Sequence, residues 1–282
     1  MRITRREALI ASAGVAASAR AARPNVRFGV RTPFPAKMGL GERAALVKGL
    51  GYDGIELGPE WLNQPVDAIR KELDGTGVAV SAIVGSIGLL DPDAVKRAEA
   101  VELDRKRLTM AKELGADCLI EVPVFGPNRF PSRAVEDQLL IAGLKELVDD
   151  VKRSGVTLLL EPLTRKETHY MNLQSHGVDI IRAAGKPPGF KLLSDFYHMQ
   201  LEEQDVGATL SRTGEFTGYV HLADGEKRTE PGSLPFDYRP GFRALKKWGY
   251  AGWLTMESRA TDTPEAALAR ALKYIKAQWA EA

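Results

Sequence analysis

The sequence predicts a single (β/α)8 barrel, and three observations lead to this fold class. After Pro24, short apolar runs alternate eight times with longer amphipathic stretches, which is the strand and helix count of that barrel. Several of the short runs are apolar throughout, as expected of parallel strands that are covered on both faces. Many helical stretches end at a glycine just before the next strand, as at Gly51 and Gly115, and glycine permits the left-handed residue that closes a helix.

The predicted elements follow one another without a break from residue 25 to residue 282. A doubly wound open sheet is the competing architecture, but no strand is followed by a glycine-rich phosphate-binding loop. We therefore predict one barrel domain over 25–282. Its strands are predicted at 26–30, 54–57, 78–84, 118–124, 157–162, 191–195, 219–223 and 253–258. Its helices are predicted at 41–50, 65–75, 92–114, 133–154, 175–184, 205–213, 240–248 and 264–279.

Residues 1–22 differ from the rest of the chain and predict an export signal. The pair Arg5-Arg6 precedes an alanine-rich apolar stretch over 8–19, and small residues then surround a cleavage point near Ala21. This order is typical of a secretory signal, and the paired arginines indicate the twin-arginine type. The apolar stretch is too short to span a membrane. We expect a periplasmic or extracellular protein; the alternative is a cytoplasmic protein with a disordered or frayed helical N-terminus.

Composition excludes some functions. The 39 basic and 37 acidic residues give a net charge of +2, whereas nucleic-acid binding surfaces usually show a strong basic excess. The only cysteine, Cys118, excludes an internal disulfide and lies in an apolar run, which predicts a buried structural thiol. No further segment is apolar enough to predict a membrane span.

Four consecutive predicted strands, the fifth to the eighth, each carry an acid or a histidine at the carboxyl end. They are Glu161, Asp195, His221 and Glu257. Active sites of such barrels lie at this end of the strands, so these side chains should meet at one mouth. Three carboxylates there would repel one another without a cation, although each acid taken alone is better explained by a salt bridge or a helix cap. We predict one divalent ion, with Mn2+ ahead of Mg2+, Co2+ and Zn2+.

The remaining histidines differ in what they predict. His198 follows Asp195 by three residues, so a turn after the strand would bring it to the same pocket. We expect it to contact substrate, with a core histidine as the alternative. His169 and His176 follow the fifth strand, and no role is assigned to them.

Three stretches of sequence carry a family resemblance, and a fourth carries it more weakly. At residues 161–172, 195–200 and 219–224, and less clearly at 249–257, the chain resembles the xylose isomerase-like TIM-barrel superfamily. Within that sugar phosphate isomerase/epimerase group, it is most similar to ketose 3-epimerases and hydroxypyruvate isomerases. The coarse likeness covers nearly the whole chain after Pro24.

The resemblance implies roles for individual residues. The four strand-end residues would be the metal ligands, and two of them, Glu161 and Glu257, would also act as acid and base on opposite faces of the substrate. Glu167 and His198 match positions that hold substrate hydroxyls. The segment after the seventh strand departs from the family pattern, so that either Lys227 or Arg228 would meet substrate; Arg228 is our candidate.

These residues permit proton transfer next to a carbonyl. A metal stabilises an enediolate, one carboxylate removes the proton and its partner returns one. Epimerisation or aldose–ketose isomerisation of a small sugar is the predicted outcome. A sugar or inosose dehydratase or lyase is the main alternative. An apurinic-site endonuclease would need three zinc ions and more histidines than the four present, and a non-catalytic sugar-binding barrel would not need both glutamates. We expect neither a nucleic-acid nor a membrane partner, and leave homo-oligomerisation open.

Overall fold

The computed structural model describes residues 26–35 and 37–282, and in this part of the chain eight parallel strands close into one barrel. Each strand pairs with the next in sequence, and the first pairs with the eighth. The predicted fold class is confirmed. The strands are β1 (Arg27–Thr32), β2 (Gly54–Leu57), β3 (Ala79–Val84), β4 (Cys118–Glu121), β5 (Thr157–Leu160), β6 (Phe190–Asp195), β7 (Thr217–Leu222) and β8 (Trp253–Glu257).

Ten α-helices of the described residues surround the barrel or follow its strands. They are α1 (Leu40–Leu50), α2 (Val66–Leu73), α3 (Ala94–Leu114), α4 (Arg133–Glu146), α5 (Val148–Ser154), α6 (Gln174–Ala183), α7 (Phe196–Glu202), α8 (Val206–Thr213), α9 (Arg239–Lys247) and α10 (Pro264–Glu281).

Three details of the predicted elements were wrong, each for a local reason. The single helix predicted over 133–154 is two helices that break at the buried Leu147, where no glycine or proline marks the break. The predicted strands 118–124 and 157–162 end earlier, at Glu121 and Leu160. A proline follows shortly after each end, and proline cannot donate to the strand ladder. The third detail is the segment after β6, where a turn was expected and helix α7 is found. The side chain of Asp195 caps this helix by accepting the N–H of Tyr197 at 2.8 Å.

The barrel interior is filled below the mouth by a layer of buried side chains that includes Cys118 at 4% exposure, as predicted. In this layer the Tyr219 hydroxyl bonds Ser81 at 2.7 Å and Thr255 at 2.8 Å, which satisfies three buried hydroxyls at once. Side chains alternate along a strand, so the residues two positions after Tyr219 and Thr255 also face inward. Those residues are His221 and Glu257. The packed floor thus fixes the height at which they emerge.

The loop after β3 rests on two buried carboxylates, Asp104 from α3 and Glu121 from β4. Both are fully buried, and the N–H of Ser86 donates to Asp104 at 2.7 Å and to Glu121 at 3.0 Å. Burial raises the pKa of Asp104 to about 6 and raises the pKa of Glu121 as well. Gly85 is required beside them, because a Cβ there would lie 2.3 Å from a Glu121 oxygen.

The acid pair makes stability depend on pH in a definite direction. A carboxyl whose pKa is higher in the folded state contributes stability below its unfolded pKa and loses it as pH rises through the folded value. We therefore expect Asp104→Asn to gain stability relative to wild type as pH rises from about 4 to 7, measured by chemical denaturation. Asp179→Asn, at an exposed aspartate, should show no such trend. Parallel pH profiles for wild type and Asp104→Asn would contradict the assignment.

Candidate metal centre and active site

The four strand-end residues predicted from sequence lie together at the mouth of the barrel. Glu161 follows β5, Asp195 ends β6, His221 lies in β7 and Glu257 ends β8. One ligand atom from each lies within 4.8 Å of the others. His221 Nδ1 lies 2.9 Å from Glu257 Oε2 and 3.7 Å from Glu161 Oε1. Strand register explains the meeting, since Asp195 pairs with His221 across β6 and β7.

The donor set fits a divalent cation. His221 Nδ1 is buried and has no hydrogen-bond partner among the described residues, although it faces three carboxylates. Its other ring nitrogen, Nε2, lies 2.6 Å from Glu56 and donates to it, so the neutral ring has its lone pair on Nδ1. A carboxylate behind a ligating histidine is the usual support of a metal site. Glu161, Asp195, His221 and Glu257 are therefore the residues that could hold the ion.

The electrostatic field in the cluster favours a cation. Burial lowers the pKa of His221, but the charges of Glu56 and Glu257 outweigh burial and raise that pKa well above its usual value. Burial raises the pKa of Glu161. Burial acts in the same direction on Glu257, but His221 and Arg228 lower its pKa well below the usual range. Protons and metal ions compete for such a field, so metal binding should release protons.

Sequence reasoning missed Glu56, which lies in β2 and is 3% exposed. A carboxylate in an otherwise apolar strand, Gly54–Leu57, was the signal that could have found it. Arg31 from β1 lies 3.4 Å from the other Glu56 oxygen. The contacts therefore run from Arg31 through Glu56 to His221.

We expect Glu56→Gln to weaken metal binding by about 10–100-fold, because the amide no longer carries the charge that orients and polarises His221. Metal titration against a competing chelator measures the change. Glu60→Gln is the matched control, since Glu60 also lies near Arg31, at 3.6 Å, and is half exposed. Equal metal affinity in wild type and Glu56→Gln would show that His221 needs no such support.

His198 lies beside the cluster, on α7. Its Nδ1 accepts the N–H of Thr164 at 3.1 Å, so the proton of the neutral ring is on Nε2. That Nε2 is buried without a hydrogen-bond partner among the described residues, 3.4 Å from Asp195 Oδ2 and 4.0 Å from Glu161 Oε1. It is therefore a free donor directed at the site.

The structure places Arg228 in the site and leaves Lys227 exposed. The Arg228 guanidinium donates to Asp195 Oδ2 at 2.8 Å and to Glu257 Oε2, and it stacks on the ring of Tyr197 at 4.7 Å. The carboxylate of Glu167, half-buried, is one of the charges that raise the pKa of Arg228 against the effect of burial. Arg228 thus contacts two of the predicted metal ligands, and Glu167 lies near enough to Arg228 to act on its charge.

The cluster opens into a cavity of about 330 Å3 at the mouth of the barrel. Its walls combine charged side chains with an apolar rim. They include Arg31, Glu56, Val84, Gly85, Ser86, Ile87, Leu103, Arg107, Ile120, Val122, Phe125, Glu161, His221 and Glu257.

The two other histidines lie outside this cavity. His169 pairs with Glu136, and His176 Nε2 lies 3.0 Å from Asp137 Oδ1, so both connect the loop after β5 and the start of α6 to α4. These contacts indicate a structural role for His169 and His176.

The N-terminal segment predicted as an export signal lies outside the described residues. Within 26–35 and 37–282, none of the helices combines the length and apolar character that crossing a membrane requires.

The fold and the cluster define a class of parallel barrels with a carboxylate and histidine group at the carboxyl mouth. The family model of the xylose isomerase-like TIM barrel matches residues 44–278, and the chain belongs to this family, which confirms the resemblance found in the sequence.

Among curated relatives, the 3-dehydro-D-guloside 4-epimerase of Escherichia coli is 24% identical over 83% of this chain and 93% of its own length. The L-ribulose 3-epimerase of Mesorhizobium japonicum is 28% identical over 73% of this chain and 70% of its own length. These names agree with the predicted enzyme class, since epimerases are isomerases. A crystal structure of D-allulose 3-epimerase from Methylomonas in complex with D-allulose has a TM-score of 0.79 at 23% identity, covering 90% of this chain and 98% of that one.

Proposed function

We propose that this protein is a divalent-metal-dependent epimerase of small keto sugars. The observation that carries the proposal is the buried Nδ1 of His221, which finds no hydrogen bond of good geometry within the described residues and faces Glu161, Asp195 and Glu257. Relatives named as epimerases of L-ribulose and of 3-dehydro-D-guloside support the reaction class. Among the described residues one such ligand group is found, which favours a single-metal enzyme over a three-zinc nuclease.

A divalent ion held by these four residues, Mn2+ first among the candidates, would stabilise negative charge on the substrate oxygens as a Lewis acid. Glu161 and Glu257 then carry the proton transfers. One carboxylate removes the proton next to the carbonyl and gives an enediolate, and the other returns a proton to the opposite face. Return to the same carbon gives an epimer.

Three neighbouring groups hold the substrate. The Nε2–H of His198 donates to a substrate hydroxyl, since its own side chain finds no acceptor in hydrogen-bonding geometry. Arg228 offers further donors from the same side, and Glu167 accepts from a second hydroxyl. These contacts orient the carbon that loses the proton between the two glutamates.

A substrate panel tests the proposal. Protein stripped by chelator should be inactive, and added Mn2+ should restore epimerisation of a ketose or a keto-glycoside, followed by chromatography of the sugars. Hydroxypyruvate and inososes complete the panel, with Glu161→Gln as the inactive control. Metal-dependent loss of water from an inosose, without any epimer, would replace the proposal by a dehydratase.

We also propose that the protein is exported by the twin-arginine route. The paired Arg5-Arg6 and the short apolar stretch after them support this. The mature protein should begin near residues 20–23, and replacing Arg5-Arg6 by Lys-Lys should retain it in the cytoplasm. Mass spectrometry of the native protein measures the start, and finding only chains that keep Met1 would reject export.

A further inference from the structure

The cavity at the barrel mouth has a second charged pole opposite the metal ligands. In the closed strand order, β3 lies across the barrel from β7, which carries His221. At the β3 side the cavity is lined by Arg107 of α3, whose guanidinium donates to the carbonyl of Val84 at 2.6 Å. A molecule in the cavity therefore lies between the metal ligands and Arg107.

Arg107 is nine-tenths buried, and the described residues offer it no ion-pair partner. Its residue is 9% exposed, and in the described part of the chain no carboxylate oxygen lies within 4.0 Å of its guanidinium nitrogens. The hydrogen bond that it makes to the described residues is the one to Val84. Burial lowers the pKa of Arg107, although Asp104 and Glu121 behind it act in the opposite direction.

The other cavity arginine is different, because its charge is already paired. Arg31 lies 3.4 Å from Glu56 and 3.6 Å from Glu60. Asp104 and Glu121 also act on Arg107 but do not form an ion pair with it, because oxygens of these two carboxyl groups accept hydrogen bonds from Ser86. Of these two cationic side chains, Arg107 is the one whose charge has no carboxylate partner among the described residues.

A buried charge without a partner is costly, and a site that keeps one commonly receives the partner with its ligand. Guanidinium groups present a planar fork of donors that matches a carboxylate or a phosphate. Ile87, Leu103 and Phe125 are exposed apolar side chains that line the same cavity. A ligand that covered them would shield such an ion pair from water and strengthen it.

We propose that the substrate is a keto sugar with an anionic group, a carboxylate or a phosphate, that binds Arg107 at the end remote from the reacting carbon. This inference rests on the proposed function and adds the substrate class to it. A volume of about 330 Å3 accommodates a single sugar unit.

Three matched sugars test the proposal: D-fructose, D-fructuronate and D-fructose 6-phosphate, which differ at the terminal carbon. Their binding to Mn2+-loaded Glu161→Gln protein, which should turn over little, is measured by calorimetry. At least one of the two anionic sugars should bind about tenfold or more tightly than D-fructose. The better of the two identifies the anion.

Variants at Arg107 test whether this side chain causes the tighter binding of the anionic sugar. Arg107→Met, made in the same background, should remove most of it, and Arg107→Lys should restore part of it. Arg105→Met is the matched control on the same helix, since Arg105 pairs with surface acids of α3 and α5 and should leave the preference intact.

The outcomes separate this inference from the proposed function. If neither anionic sugar is preferred, or if the preference survives Arg107→Met, the anion site is rejected even where D-fructose is epimerised. If an anionic sugar binds through Arg107 but no keto sugar is epimerised by the metal-loaded wild type, the anion site stands and the epimerase fails. The wild-type preference can be measured even if Arg107→Met does not fold.

Discussion

Replacing Glu161 or Glu257 by glutamine should each reduce turnover by about 10²–10⁴-fold, the range typical of general acid–base groups. Glutamine keeps an oxygen that can ligate a metal but removes the carboxylate that accepts and returns the proton. Metal binding should therefore weaken less than kcat. The comparison requires kcat measured at saturating metal, with the metal content of each variant determined separately.

His198→Asn provides the contrast, because its Nε2–H is inferred to bind a substrate hydroxyl rather than to move the proton. We expect it to raise KM more than it lowers kcat. Wild-type turnover in both glutamine variants would mean that the proton transfers belong to other groups, even with the fold and ligand cluster as described.

Removing the metal should lower the melting temperature. Three carboxylates converge on one point, and His221 and Arg228 only partly compensate their repulsion. Saturating metal should stabilise the fold by about 4 kcal/mol at a thousandfold excess over Kd. Differential scanning calorimetry of chelated and reloaded protein measures the shift.

Asp195→Asn is the control for this effect, since it removes one ligand charge and should reduce the shift on reloading. Equal melting of the two wild-type forms, after metal analysis has established that the chelated form is empty, would count against the site.

The sequence predicted the barrel and the position of the ligand cluster well, because both follow from local patterns. Strands of a parallel barrel are apolar on both faces, so a charged residue at their carboxyl end stands out, as Glu161 and Asp195 do. Since every strand ends at the same mouth, position along the chain was enough to bring four distant residues together.

Other features depend on contacts between elements that are remote in sequence. Glu56 bonds His221 across 165 positions, and Arg107 reaches the cavity from a helix whose charged residues mostly face solvent. The helix break at Leu147 comes from a buried leucine in a tight turn, which periodicity does not distinguish from a continuous helix. Packing in three dimensions decides each of these.

We propose that Glu161 and Glu257 exchange a proton next to a substrate carbonyl with the help of a bound metal. Incorporation of solvent deuterium at that carbon, followed by NMR in D2O for a keto sugar turned over by the enzyme, tests it most directly. We expect incorporation with Mn2+-loaded wild type and none after chelation. One glutamine variant should still exchange the proton without giving epimer, because each carboxylate acts on its own face. Formation of the epimer without deuterium at that carbon, or equal incorporation with and without metal, would contradict it.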